Sequence, residues 1–312
     1  MHSLAVRQLR FYRQMIKVRV PATSANMGAG FDSLGVALSL YNTVTVEEIS
    51  DGIVIENRHT KEYIPTGENN LIYRAMKIVF DKTGYRTKGI KIIQDSEIPM
   101  TRGLGSSSAC IVAGMLAANV LSGRKLSYAG ILNLAADMEG HPDNVAPALY
   151  GGFCAAVKSE GKTLAKSVKL EKPIVFEVMI PDFYVSTKKS RVTLPDKVSH
   201  KDAAYNAGHA ALFSLALATG DFEKLKVAVK DKLHQPYRAA YIDNMKETFD
   251  ESYKNGAYAV WLSGSGPTIV AMCSPENKEF SNNMNAYFNI NGHKRTCRRL
   301  TIDNVGAIVQ VY

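Results

Sequence analysis

The sequence is poor in cysteine and nearly devoid of tryptophan. Its four cysteines, Cys110, Cys154, Cys273 and Cys297, stand far apart among 312 residues and form no CxxC pair. That spacing excludes a zinc ribbon and a dense disulfide framework, and it suits a reducing, cytoplasmic setting. No apolar run approaches the roughly 18 residues that a membrane span requires, so no membrane partner is expected. There are no internal repeats and no low-complexity tract, which sets aside solenoids and disordered scaffolds. Long blocks of one charge are missing too. Lys and Arg (38) outnumber Asp and Glu (29) for a net charge of +9, yet the longest basic cluster is Lys188–Lys189 with Arg191. Scattered charge of this kind argues against a nucleic-acid surface and leaves solubility, or a pull on small anions, as its meaning.

What is present is ordinary for a soluble globular protein: 46% hydrophobic and 21% charged residues, with length enough for two domains. The first 14 residues, MHSLAVRQLRFYRQ, carry three arginines and no acid and lack the apolar core of a secretory signal. They read as an extension upstream of a start near Met15, with a short Arg-rich targeting segment as the alternative. Ile16–Val20 alternates as a strand, which Pro21 is expected to stop. Further strands are predicted at Leu34–Leu38, Thr43–Glu48, Gly52–Ile55, Gly89–Ser96, Gly151–Val157, Phe176–Ile180, Tyr258–Leu262 and Ile269–Met272. Helical spacing predicts helices over Asn69–Lys82, Ser107–Leu121, Ser127–Glu139, Asp202–Thr219, Phe222–Val229 and Asp243–Asn255. The composition shifts in the Lys-rich stretch 158–172, and the whole reads as α+β in two halves.

One stretch carries chemistry. "RGLGSSSA" places Gly103 and Gly105 and then Ser106, Ser107 and Ser108 before a helix that is apolar on nearly every side. The first turn of a helix has unpaired N–H groups and a partial positive charge, and glycines let its backbone approach an anion. A phosphate chain is the expected guest. A Walker A loop fails because no lysine follows Gly105, and the GxGxxG fingerprint fails because Ser108 stands where glycine is required. A nucleophile elbow lacks its last glycine, since Ala109 occupies that place. A loop shaped only for tight helix packing is the remaining alternative for the segment taken alone.

Three more motifs follow in order: "VPATSANMGAGFDSLGVAL", "EGHPDNVAPALYGG" and "LSGSGPT". With Pro99–Ala109, which matches P-x-x-x-G-L-G-S-S-A with one extra serine, they make the chain resemble the GHMP small-molecule kinases. Within that family it is most similar to the homoserine kinases, over essentially Met15 to Tyr312. The resemblance implies a two-domain fold. Residues 15–160 would form an ATP-binding domain like domain 2 of ribosomal protein S5, and residues 161–312 a ferredoxin-like domain. It implies ATP and Mg²⁺ as cofactors, L-homoserine as the second substrate, and phosphorylation of its side-chain hydroxyl on the way to threonine. A homodimer is left open.

The same resemblance implies roles at matching positions. Pro99, Arg102, Gly103, Leu104, Gly105, Ser106, Ser107 and Ser108 would hold the nucleotide, with Asn70 near adenine. Ser107 and Glu139 would hold Mg²⁺, Asp137 being the alternative carboxylate; oxygen ligands of this kind suit that ion. Asn26, Asp32, His141, Arg191 and Arg238 would hold the amino acid, with Thr187 beside the reacting groups. Two guanidinium forks are well suited to one carboxylate. Gly264 and Gly266 would shape the site from the C-terminal half. Where several relatives place an aspartate as base, this chain has Asn144, an amide that accepts no proton at neutral pH. Asp143 is expected to face elsewhere, so alignment and charge neutralisation carry the expected catalysis.

Overall fold

The computed structural model describes residues 14–58, 64–184 and 187–312, except for the side chains of residues 187–189. The extension expected over residues 1–14 lies, apart from its last residue, outside the described residues. The first half runs β1 (Met15–Ala25), β2 (Leu34–Ile49), β3 (Gly52–Asn57), α1 (Leu71–Thr83), β4 (Gly89–Ser96), α2 (Ser106–Leu121), α3 (Tyr128–Glu139), α4 (Val145–Tyr150), β5 (Phe153–Ser159) and β6 (Lys162–Val168). The second half runs β7 (Val175–Pro181), α5 (Thr187–Val192), α6 (His200–Thr219), α7 (Leu225–Ala228), α8 (Gln235–Arg238), α9 (Met245–Lys254), β8 (Ala259–Leu262), β9 (Ile269–Cys273), α10 (Phe280–Ile290), β10 (Arg295–Thr301) and β11 (Ile308–Val311).

One sheet has the order β11–β1–β2–β4–β3, with β5 and β6 branching from β2; the other has the order β10–β7–β9–β8. The second sheet is antiparallel throughout. Its first, second, third and fourth strands in chain order lie as 4-1-3-2, the ferredoxin-like arrangement that the family resemblance implies. Strands β7, β8 and β9 of this sheet are buried on both faces and so read as nearly unbroken apolar runs, whereas the edge strand β10 alternates. On one face Phe176, Val178, Trp261, Val270 and Met272 join the main core. On the other, Val175, Met179, Leu262, Ile269 and Ala271 pack with Phe280, Met284 and Phe288 of α10.

Pro21 does not stop β1. The strand continues to Ala25, and the register with β2 slips between Pro21 and Ala22. A proline removes one N–H, and a strand can absorb that loss at an irregularity in pairing. The two predicted strands at Leu34–Leu38 and Thr43–Glu48 are accordingly one strand, β2. The boundary expected at 160/161 falls in the β5–β6 turn, and the two sheets divide between Val168 and Val175.

Helix α2 runs through the middle of the first half. Every residue from Ser108 to Val120 is buried, as its lack of any charged residue foretells. Each large apolar side chain so enclosed contributes about 1.5–3 kcal/mol. α1 begins at Asn70, whose side chain accepts from the backbone N–H groups of Ile72 and Tyr73, and ends at Gly84 in the left-handed conformation. α3 is capped by Ser127 and ended by Gly140 in the same manner, which fixes Glu139 as its last residue. Among the described residues no helix is long and apolar enough to cross a membrane.

Candidate active site

The N-terminus of α2 opens on a cavity of about 290 Å³ between the two halves. Gly105 is the cap residue, at φ 69°, and no side chain caps the helix. A Cβ at Gly105 would lie 1.9 Å from Thr23 Oγ1, and one at Gly103 would lie 2.4 Å from the Ser263 carbonyl oxygen. Both positions therefore exclude every side chain, on conformation and on space together. The loop is clamped from both sides. Thr23 N–H donates to the Leu104 carbonyl at 3.1 Å, and Ser263 Oγ donates to the Gly103 carbonyl at 2.6 Å. Arg102 donates to the carbonyls of Met100, Pro181 and Asp182, tying the loop to the end of β7.

Ser107 Oγ donates to Glu139 Oε2 at 2.8 Å. Burial raises the Glu139 pKa above the ordinary carboxylate value, against the opposing hydrogen bond from Ser107 and the charge of His141. Asp137, the alternative carboxylate, is exposed on the far side of α3 and pairs with Lys158 at 2.6 Å. The helix period separates the two: residues two apart on a helix face different ways. The Ser108 hydroxyl is buried with no hydrogen-bond partner. An uncapped helix start, a hydroxyl and carboxylate side by side, an orphaned buried hydroxyl and a glycine cradle together fit a magnesium-bound polyphosphate.

The opposite wall holds the groups expected to read an amino acid. Arg191 makes two bonds to Asp32, NH2 to Oδ1 at 2.6 Å and NH1 to Oδ2 at 3.1 Å. Arg238 is 2% exposed; its NH1 donates to the Gly264 carbonyl at 2.8 Å, and its Nε has no partner. Burial and the neighbouring charge of Arg191 bring the Arg238 pKa down to about 10, which leaves it a cation at neutral pH. The Asn26 side chain is occupied within the fold. It accepts from Asp32 N–H at 2.9 Å and donates to the Gly264 carbonyl at 2.9 Å, so it holds the loop between β1 and β2 in shape.

Residues 141–144 form a turn rather than an extended segment, and Asp143 faces the cavity, contrary to expectation. His141 Nδ1 and Asp143 Oδ1 are 2.6 Å apart, and Asn144 Nδ2 donates to the same oxygen at 3.3 Å. Asn144 Oδ1 in turn accepts from Thr23 Oγ1 at 2.7 Å. Burial disfavours the His141 imidazolium, but the Asp143 hydrogen bond and charge and the Glu139 charge outweigh it, and the His141 pKa is raised. Ligand atoms of Asp32, His141 and Asp143 lie within 4.8 Å of one another. A nitrogen donor and the existing Arg191 pair make that trio a poorer home for Mg²⁺ than Ser107 and Glu139.

Of the remaining expected residues, Leu104, Ser106 and Gly264 line the cavity. Asn70 does as well, but its side chain caps α1 and donates to the Pro65 carbonyl, so both its polar atoms are taken. Pro99 lies on a neighbouring groove with Ile180 and Pro181 instead. Gly266 is not among the lining residues; its N–H donates to the Ser263 carbonyl and shapes the turn. Thr187 opens α5, and its side chain lies outside those described. Sequence reasoning missed Thr23, Phe31 and His234. Thr23 lay inside a quoted motif, and His234 directly precedes the "QPYR" of α8.

The fold and this site are those of a small-molecule phosphotransferase, and similarity to known proteins narrows the class. Residues 70–152 match the model for the GHMP kinases N terminal domain, and residues 213–290 match that for GHMP kinases C terminal. A homoserine kinase of Clostridium botulinum (strain Okra / Type B1) is 46% identical over 295 residues, covering 95% of this chain and 98% of the relative. One from Clostridium beijerinckii is 45% identical over 296 residues, with 95% and 98% covered. The crystal structure of homoserine kinase from Cytophaga hutchinsonii superposes with a TM-score of 0.84 at 27% identity, covering 99% of this chain and 100% of that one. L. major mevalonate kinase in complex with R-mevalonate shares the fold at 17% identity, with a TM-score of 0.72 over 92% of this chain and 95% of that one. The chain belongs to the GHMP kinases and, within them, to the homoserine kinase family.

Proposed function

We propose that the protein transfers the terminal phosphoryl group of ATP to the side-chain hydroxyl of L-homoserine, giving O-phospho-L-homoserine and ADP, a step toward threonine. The observation that carries the reading is one cavity with two unlike walls. One wall is the uncapped start of α2 with Ser107 and Glu139; the other presents Arg191, Arg238 and Asp32. The first suits a polyphosphate and the second a zwitterion.

Ser107 Oγ and the Glu139 carboxylate would hold Mg²⁺, which when bound neutralises charge on the phosphate oxygens. The amides at the start of α2 would bind the polyphosphate, and Arg238 with Arg191 the α-carboxylate. Asp32 would accept the α-ammonium, which requires that it exchange its bonds to Arg191 for bonds to substrate. Asp143 fixes His141 and Asn144 at the cavity wall through the bonds described above. Asn144 Nδ2 has a second hydrogen beyond the one given to Asp143, and as a donor it would orient the substrate hydroxyl without taking its proton. The new O–P bond forms as the bond to ADP breaks, and the hydroxyl proton leaves to solvent or to a phosphoryl oxygen. A loose phosphoryl-transfer transition state needs little nucleophilic push, and positioning supplies about 7–11 kcal/mol in favourable cases. Four free, buried thiols accord with a reducing compartment such as the cytoplasm.

The test is a coupled ADP-release assay with homoserine, mevalonate and shikimate offered separately. Turnover with homoserine at least 100-fold above the other two is expected. Turnover favouring mevalonate or shikimate reassigns the substrate, and no turnover with any alcohol points to a non-catalytic relative.

A further inference from the structure

Arg238 is a buried cation whose identified hydrogen-bond partners are both neutral. NH1 bonds the Gly264 carbonyl at 2.8 Å and His234 Nδ1 at 3.1 Å, while Nε has none. His234 is itself 0% exposed, and its other nitrogen, Nε2, lies 2.8 Å from the Gly28 carbonyl oxygen. A carbonyl only accepts and a guanidinium only donates, so the neighbours dictate the tautomer: Nε2 carries the proton and Nδ1 offers its lone pair to Arg238. Asp231 Oδ2 lies 3.5 Å from Nε2, which also favours the proton there; burial, helped by the charge of Arg238, outweighs the opposing charge of Asp231 and lowers the His234 pKa.

The imidazole is held on every side. Phe31 stacks on it at 5.4 Å and 24°, and the guanidinium of Arg238 lies 5.5 Å from the centre of the same Phe31 ring. Asp231 accepts from the backbone N–H groups of Leu233, His234 and Gln235, fixing the turn that carries the ring. Gln235 Oε1 accepts from Leu262 N–H at 2.8 Å, which docks α8 on β8. Rigid support of this kind is what aiming a guanidinium requires.

We propose that His234 is a positioning residue for substrate recognition: as a neutral acceptor it aims Arg238 into the cavity and leaves its charge for the α-carboxylate of the amino-acid substrate. A carboxylate in the same place would hold the arginine equally well but neutralise it, as Asp32 does for Arg191. The inference rests on the proposed function, because it takes the α-amino acid as the guest of Arg238.

Two isosteric variants separate this role from a merely structural one, read as KM for homoserine and for ATP, kcat and melting temperature. His234→Asn keeps an acceptor where Nδ1 lies and loses the donor to Gly28. His234→Gln keeps the donor to Gly28 and loses the acceptor for Arg238. The expected result is a homoserine KM raised about tenfold or more in His234→Gln, with ATP KM within twofold of the parent. His234→Asn recovers most of that loss. The reverse order, equal KM in the two variants, a parallel loss on both substrates, or absence of a cooperative melt in both overturns the proposal. Failure of the functional reading is distinct from these, since it appears in the parent enzyme as no turnover of homoserine.

Discussion

At the scale of single residues, the role proposed for Glu139 would couple catalysis to stability with opposite signs. Burial raises its pKa, with the Ser107 hydrogen bond opposing, so the folded protein keeps this proton to higher pH than the unfolded chain does. Its contribution to stability is therefore greatest below the unfolded value of about 4.3 and declines as pH rises through the folded value. Above that window the ionised carboxylate works against the fold while being the form that would bind the proposed cation. Glu139→Gln keeps an oxygen acceptor for Ser107 and removes the charge. At pH 7 its melting temperature should rise by on the order of 2 °C, and near pH 4 the difference should vanish. Its kcat with MgATP should fall by roughly 100-fold or more, since cation-mediated charge stabilisation is worth several kcal/mol. A variant that melts lower than the parent at pH 7 contradicts the argument, as does one that retains full turnover.

At the scale of elements, the loop before α2 and the strand beneath it form one unit. Gly105 packs against Thr23, Thr23 donates to Asn144, and Asn144 donates to Asp143, so the two walls of the cavity meet at a glycine. Gly105→Ala places a methyl where Thr23 Oγ1 stands and strains a left-handed residue. Gly84→Ala is the control, because that glycine also has positive φ (73°) but meets nothing within 4 Å. The control should cost about 1 kcal/mol of stability with unchanged kinetics. Gly105→Ala should cost more and raise ATP KM at least tenfold, measured by steady-state kinetics beside thermal melts. Equal kinetics in the two variants would mean the loop has no special role.

This unit also marks how far the sequence could be read. The buried helix and its glycine start were legible, because apolar content and backbone-breaking residues act locally; the pairing of Ser107 with Glu139 came only from the family resemblance, which left Asp137 as an alternative. Asp143 was not: a turn through Pro142 points its side chain into the cavity, and only tertiary packing decides that. The strands β6, β10 and β11 were likewise hidden. β6 carries Lys162 and Lys166 as exposed positions of a strand paired only to β5, and this reads as a linker. β10, RTCRRLT, buries Arg295 and half-buries Arg299, and their partners lie elsewhere in the chain: the Pro267 and Asp243 carbonyls for the first and Glu177 for the second. The support of Arg238 by His234 escaped for the same reason, since half of it is the distant Gly28 carbonyl.

At the scale of the whole molecule, the chain does not fold as two beads on a string. After β10 it returns to the first half: Ile302 bridges Leu38, Asp303 N–H donates to the Ala37 carbonyl, and Asp303 Oδ2 accepts from Tyr41 at 3.0 Å. β11 then pairs with β1 from Arg19–Ile308 to Ile16–Val311. The single tryptophan, Trp261, belongs to the second sheet, is fully buried and donates to Ser24 Oγ of β1 at 2.9 Å. The cavity proposed as the active site lies in this seam, so stitching the sheets together also fixes the distance between its two walls. Ending the chain after Thr301 removes the returning segment and leaves β1 as an open edge, while every residue of the cavity lining remains. The intact protein should melt in one transition, coincident by Trp261 fluorescence and by far-ultraviolet circular dichroism. The shortened chain should melt at least 10 °C lower with the two signals separated, and both substrate KM values should rise. A coincident melt near the parent temperature would show that packing at the seam, without the returning strand, is enough to hold the halves together.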